Sequence, residues 1–141
     1  MSDATLFTLF FAALGVTVVL LVVALVLAHR HDARGHIKAV VGFVALLLVT
    51  LYFAEQLGRR FTFAETPKRV HLGLAFTTAG FLLVPLITGV QHWRGRMRRE
   101  THSRLALVFL LLTLSSVVTG VWMLSTRTPL APAGSAAPAP G

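Results

Sequence analysis

Histidine is the residue type in this chain best suited to bind a cofactor. Five of the six histidines lie in or beside two short basic segments, and the sixth opens a later apolar run: His29, His31, His36, His92 and His102, and then His71. A neutral imidazole is a good ligand for transition metals and for haem iron. The chain has no cysteine, which excludes iron–sulfur clusters, thioether-linked haem and thiolate metal sites. The histidines are therefore the candidate ligands.

His36 and His102 have the pattern that axial ligation of one haem b requires. Each begins a His-x-basic triplet at the start of an apolar run, so both should lie near one membrane depth. In four-helix bundles, haem ligands come from facing helices. Small residues within about two turns should leave room for the porphyrin edge: Ala39, Gly42 and Ala106. The basic residues nearest to the haem propionates would be Arg34, Lys38, Arg98 and Arg104.

Other interpretations of the polar residues remain open at this stage. All the histidines near the basic segments could be solvated side chains at a membrane interface. His29 and His92 end two apolar runs and could form a second ligand pair. Glu55 could form a proton or metal site with His71, because ionisable groups in membrane helices are functional candidates. Alternatively, Glu55 could form an ion pair with Arg59 one helical turn later.

The hydrophobic residues predict the elements that must position these histidines. The sequence is 55% hydrophobic and 13% charged, and its apolar runs approach or exceed the ~20 residues that span a bilayer as a helix. We predict an all-α integral membrane four-helix bundle, with helices at about 4–28, 37–57, 70–92 and 103–125. The predicted domain covers residues 1–127, and 128–141 is a disordered tail rich in proline and alanine. Pro85 should bend the third helix.

The net charge of +8 comes from basic residues in the connections and at the helix ends. This location points to membrane topology and contact with anionic lipid rather than to nucleic-acid binding. The first and third connections hold eight basic residues, against five elsewhere. Cytoplasmic loops carry the excess of Lys and Arg, so both termini are predicted to lie outside. The sequence contains no catalytic constellation that would define an enzyme. If the protein is redox-active, it is an electron carrier.

From about Arg34 to Leu124 the chain resembles the bacterial membrane family called domain of unknown function 420. The resemblance rests on the order of short motifs: His36-Ile-Lys38, Leu51-Tyr52, Gly58–Phe63, His71, Val84-Pro85-Leu86, Arg94-Gly95-Arg96, His102-Ser-Arg104 and Thr119-Gly120-Val121. Members are four-helix proteins, and some are implicated in maturation of haem–copper oxidases. The resemblance implies a respiratory-membrane role, with His36, His71 and His102 as the positions of interest. A histidine usual in the family at the outer end of helix two is replaced here by the segment Tyr52–Gln56.

The leading functional prediction is a small respiratory or electron-transport protein of the bacterial inner membrane. It would bind or handle haem b through His36 and His102. The general layout also resembles small four-helix b-type cytochromes. The alternative is a cofactor-free assembly factor or accessory subunit of a larger membrane redox or photosynthetic complex. Pigment binding through single histidines is a third interpretation, and the sequence leaves quinone binding open.

Overall fold

The computed structural model describes residues 1–130, and most of that range is helical. In chain order it contains α1 (Asp3–His29), α2 (Ala33–Gly58), β1 (Phe61–Thr62), α3 (Glu65–Phe81), α4 (Leu83–Trp93), α5 (Arg99–Ser125) and β2 (Thr128–Pro129). Strand β2 pairs with β1, so Thr128 and Pro129, which the sequence assigns to the tail, have regular structure. The rest of the predicted tail, residues 131–141, lies outside the described residues.

Four helical segments of residues 1–130 are long and apolar enough to cross a membrane. They are α1, α2, α5 and the combined α3–α4 segment Glu65–Trp93, each 26 to 29 residues long. At about 1.5 Å per residue a helix of this length exceeds the ~30 Å hydrocarbon layer. Large apolar side chains such as Phe76 and Val118 are exposed on these helices. The prediction of an all-α chain with four helices long and apolar enough to span a membrane is confirmed.

The chain divides into two compact units, and the boundary lies between Phe61 and Thr62. In the first unit, α1 packs along α2; in the second, α5 packs against α3 and α4. The buried hydroxyls of Thr17 on α1 and Thr50 on α2 lie 3.1 Å apart in the first unit. In the second unit the Thr62 and Thr128 hydroxyls lie 2.6 Å apart. The prediction of one domain over residues 1–127 stays a prediction.

Three helices begin earlier than the sequence predicts. Helix α2 begins at residue 33 rather than 37, the α3 segment at 65 rather than 70, and α5 at 99 rather than 103. Hydropathy marks where side chains stop being lipid-like, whereas a helix continues until its first backbone N–H groups are capped. In α2 the cap is Asp32, whose carboxylate accepts from the Gly35 N–H at 2.9 Å.

The third apolar helix is interrupted just before Pro85, the residue at which the sequence predicts a bend. Helix α3 ends at Phe81 and α4 begins at Leu83, two residues before the proline. Pro85 has no N–H to donate to the Phe81 carbonyl four residues earlier, so the helical hydrogen bonding is broken there. The Leu82 N–H still donates to the Thr78 carbonyl at 3.0 Å, which keeps the two helices continuous.

Helices α1 and α4 end in the same type of turn. After α4, Gly95 has φ +70° and its N–H donates to the His92 carbonyl, while the Arg96 N–H donates to the Gln91 carbonyl. After α1, His31 takes the corresponding place with φ +59°. These paired bonds are those of a Schellman motif, which satisfies the last helical carbonyls and turns the chain. Glycine adopts this left-handed backbone without strain and histidine does not.

Candidate histidine sites

His102 lies in the first turn of α5 and contacts α4 through two adjacent residues. Its Nδ1 atom lies 3.1 Å from the Thr88 hydroxyl, and its ring carbon Cε1 lies 3.3 Å from where a Cβ on Gly89 would stand. Thr88 is buried and the imidazole is partly buried. Because Gly89 has no side chain, the imidazole fits directly against the α4 backbone.

His71 on α3 contacts α5 in the same manner. Its Nδ1 atom lies 3.4 Å from the Thr119 hydroxyl, and its Cε1 lies 3.0 Å from the position of a Cβ on Gly120. The second unit therefore holds two histidine–threonine–glycine clusters, one made by α5 on α4 and the other by α3 on α5.

The two clusters come from a repeat that the sequence analysis missed. One pattern occurs twice in the sequence, from His71 to Val90 and again from His102 to Val121. It consists of His-x-x-Leu-Ala, then twelve further residues, and then Thr-Gly-Val. The His-x-basic starts relate the second apolar run to the fourth, whereas this repeat relates the third run to the fourth. Comparing the third and fourth apolar runs with each other would have found the repeat. Because each histidine packs on the Thr-Gly pair of the other span, the repeat produces two equivalent ends.

Hydrogen bonding defines which imidazole nitrogen carries the proton. His36 Nδ1 lies 2.8 Å from the Ala24 carbonyl, and His92 Nδ1 lies 3.0 Å from the Met97 carbonyl. A carbonyl accepts only, so Nδ1 is the donor in both. The hydroxyls of Thr88 and Thr119 donate their single hydrogen to carbonyls of their own helices, and they therefore accept from His102 and His71. In the neutral imidazoles, Nε2 then has the lone pair that binds a metal.

His92 lies beside His102 in the second unit. The two ring centroids are 6.0 Å apart and the ring planes differ by 8°. The two rings are stacked, so the contact brings two candidate ligands together at one end of the second unit. The pairing of His92 with His29 that the sequence suggests stays a prediction, because His29 belongs to the first unit.

His36 lies in the first unit, where it joins α2 to α1 through the Ala24 carbonyl. Gly42, which the sequence suggested as room for a porphyrin edge, instead packs against Leu20 of α1. The glycine admits a neighbouring helix there, and its place beside a porphyrin stays a prediction. Ala39 is buried, and Ala106 is partly buried. The pairing of His36 with His102 stays a prediction, because the two residues belong to different units.

His71 and His102 lie at opposite ends of the second unit. His71 contacts α5 at Thr119, seventeen residues after His102, which is about 26 Å along the helix axis at 1.5 Å per residue. One haem iron holds both its ligands within about 2 Å. His71 and His102 therefore cannot bind the same ion.

The basic residues predicted to face haem propionates are exposed: Arg34, Lys38, Arg98 and Arg104. Within residues 1–130 none of these four forms an ion pair. The second connection differs, because Arg59, Arg60 and Arg69 each pair with a carboxylate. The positive charge of these four side chains is thus available to an anionic group.

Glu55 accepts a hydrogen bond of 2.7 Å from Arg59, which confirms the predicted ion pair. This hydrogen bond and the attraction between the charges raise the pKa of Arg59 above its usual value. The pairing of Glu55 with His71 stays a prediction, because the two residues lie in different units. Within the described part of the chain, no group of three or more His, Asp or Glu side chains is placed to hold a metal ion.

Comparison with models of known protein families, with curated proteins and with solved structures finds no match for this chain. The resemblance to domain of unknown function 420 and the likeness to b-type cytochromes therefore stay predictions. The geometry of the histidines carries the functional argument.

Proposed function

We propose that this chain is a multi-pass protein of the bacterial inner membrane that binds haem b at the arginine-rich end of its second unit. His102 would be one of the residues that hold the haem iron. The chain would serve a respiratory or electron-transport membrane as an electron carrier or a haem-handling subunit, with both termini outside. The single observation that carries the proposal is that two candidate ligands, His102 and His92, lie together at that end, with stacked rings whose centroids are 6.0 Å apart.

The chemistry of the donor set supports this assignment. An imidazole that binds a metal through one nitrogen usually donates its other N–H to an oxygen, which fixes the ring and makes it a better ligand. His102 donates to Thr88, and His92 donates to the Met97 carbonyl. Gly89 leaves the space that the His102 ring occupies. These contacts hold both rings in the tautomer that ligation requires.

The second axial position has two candidates. His92 lies beside His102 in the same unit, whereas His36 is the partner that the repeated His-x-basic pattern predicts. Bound haem would supply one-electron redox chemistry, and its potential is set by axial ligands, burial and nearby charge. Arg98 and Arg104 flank His102, and Arg34 and Lys38 flank His36; their exposed side chains would hold the propionates.

A reduced-minus-oxidised spectrum of the purified protein loaded with haem tests the proposal. The wild type should give a Soret band and a sharp α-band typical of two imidazole ligands. H102A should lose this spectrum. H92A and H36A are measured separately, and whichever of the two loses the spectrum identifies the second ligand. His31→Asn is the matched control, because it removes an exposed histidine and asparagine tolerates the left-handed turn. A wild type without these bands, or an unchanged H102A spectrum, would refute the proposal.

The apolar exposure of the spans favours a second function, that of a cofactor-free assembly factor or accessory subunit of a larger redox or photosynthetic complex. The side chains of Phe76 and Val118 are 74% and 68% exposed. Such faces suit lateral packing against other membrane helices as well as lipid. Copurification with a larger complex that H102A leaves unchanged would support this function over haem binding. A chlorophyll-type absorbance would instead indicate pigment binding.

A further inference from the structure

The end of α4 has an open groove with an apolar wall and a basic rim. Its volume is ≈ 400 Å³, and it is lined by Leu86, Ile87, Val90, Gln91, Arg94 and Arg96. Neither arginine has an acidic partner within residues 1–130, and both are exposed. The groove therefore offers two positive charges beside a hydrocarbon surface.

The turn after α4 places the two arginines on the same rim. Gly95 takes the left-handed backbone, and the Arg96 N–H donates to the Gln91 carbonyl at 2.8 Å. The chain therefore turns back on itself, which brings Arg96 beside the last turn of α4. Arg94 directly follows that helix. The Arg94 N–H donates to the Val90 carbonyl at 3.0 Å. Because the backbone satisfies these carbonyls itself, the guanidinium groups are left for an external anion.

The apolar wall extends from the basic rim along the membrane span. Leu86 precedes Arg94 by eight residues, which is about 12 Å along the helix. Trp93 is 72% exposed beside the rim, and tryptophan is enriched where a membrane helix meets the headgroup layer. An occupant of this groove would have its charged end at the interface and its apolar part alongside the helix.

We propose that this groove binds an anionic phospholipid, with the phosphate at Arg94 and Arg96 and an acyl chain along Leu86, Ile87 and Val90. A soluble anion would match the arginines but would gain nothing from the apolar wall. A neutral lipid would match the wall but not the charges. The inference depends on the chain being in a membrane, and it is independent of haem binding.

Contact quenching of tryptophan fluorescence by brominated lipid tests this site. The chain has two tryptophans, so W122F leaves Trp93 beside the groove as the reporter. The full chain carrying W122F is placed in vesicles of phosphatidylcholine in which either phosphatidylglycerol or phosphatidylcholine carries the bromine. Interaction with anionic lipid is worth about 1 kcal/mol, or fivefold in binding, for each arginine near the surface. We expect brominated phosphatidylglycerol to quench preferentially, with a relative association constant well above one.

The charge variants locate the preference. R94Q/R96Q should bring the relative association constant close to one, R94K/R96K should keep most of it, and inorganic phosphate at equal ionic strength should not displace the lipid. R30Q/R99Q removes two charges outside the groove and should keep the preference. The site would be overturned if the wild type showed no preference for phosphatidylglycerol, or if R94Q/R96Q kept the wild-type preference. It would also be overturned if R30Q/R99Q lost the preference equally, or if inorganic phosphate displaced the lipid. Far-UV circular dichroism of each variant identifies any loss of folding, and the haem spectrum is recorded separately, so the two proposals can fail independently.

Discussion

His102 donates a hydrogen bond from Nδ1 to the Thr88 hydroxyl, joining the start of α5 to α4 across 3.1 Å. Thr88 is able to accept because its own hydrogen is donated to the Val84 carbonyl of its helix. The contact fixes both the orientation and the tautomer of the imidazole. Thr88 therefore acts on any bound group through His102, as a positioning residue.

Replacing Thr88 by valine should weaken haem binding while leaving the helices intact. The variant keeps the shape of the side chain but removes the acceptor, and loss of such a partner typically lowers metal affinity about 10–100-fold. Haem titration measures the affinity, and the midpoint potential reports a change in the ligand that a structural defect alone would not produce. T88S should restore both values, because serine retains the hydroxyl.

T119V is the matched control for T88V. Thr119 occupies the equivalent place in the His71 cluster, at the other end of α5. It should leave the haem titration unchanged, because His71 and His102 cannot bind the same ion. Equal weakening by T119V and T88V would mean that both threonines act only by stabilising the helix pair.

Adding a methyl group at Gly89 or Gly120 should displace a histidine ring. In G89A the new Cβ would stand 3.3 Å from His102 Cε1, and in G120A it would stand 3.0 Å from His71 Cε1. Such overpacking costs roughly 1–3 kcal/mol, with the larger cost at Gly120. Unfolding in a detergent series measures the change in the free energy of unfolding, and G89A should also shift the haem spectrum.

Gly73 and Gly80 supply the controls, because a Cβ at either has no neighbour within 4 Å. G73A and G80A should be neutral, or more stable by up to about 1 kcal/mol from the better helix propensity of alanine. If G89A and G120A behave like these two variants, the histidine rings do not pack where the structure places them.

Much of the fold could be predicted from the sequence, because four apolar runs separated by charged connections have few other solutions in 141 residues. The break before Pro85 was also predictable, because proline has no N–H to donate. The start of α2 was not predicted, because it depends on capping rather than on hydropathy: Asp32 caps the helix while the apolar run begins several residues later.

The candidate site was predicted less completely. The importance of His102 followed from its position at the start of a helix, but its neighbours depend on which helices pack together. The sequence paired His92 with His29, whereas its neighbour within the second unit is His102. The Thr-Gly pairs that receive His71 and His102 were present in the sequence as a repeat, and their role emerged only when packing brought each pair against the histidine of the other span.

The Thr17–Thr50 contact should contribute modestly to the stability of the first unit. Each hydroxyl already donates its hydrogen to a carbonyl of its own helix. The contact between the two hydroxyls therefore adds no hydrogen bond with a hydrogen of its own. Hydrogen bonds between membrane helices average about 0.6 kcal/mol in double-mutant cycles. The cycle of T17V, T50V and T17V/T50V, measured by unfolding in detergent, should give a coupling energy of that size. A coupling above about 2 kcal/mol would contradict this bonding scheme.

The two left-handed turns should respond oppositely to exchange of their residues. At Gly95, alanine must adopt φ +70°, and a left-handed backbone costs a residue with a Cβ about 1–2 kcal/mol. At His31, with φ +59°, glycine should instead remove a strain of about 1 kcal/mol. We therefore expect G95A to lower the detergent-unfolding midpoint and H31G to raise it or leave it unchanged. G95N should fall between G95A and the wild type, because asparagine tolerates this backbone region. If G95A is as stable as the wild type, the turn after α4 does not require a residue with left-handed backbone. That turn would then not be what fixes the positions of Arg94 and Arg96.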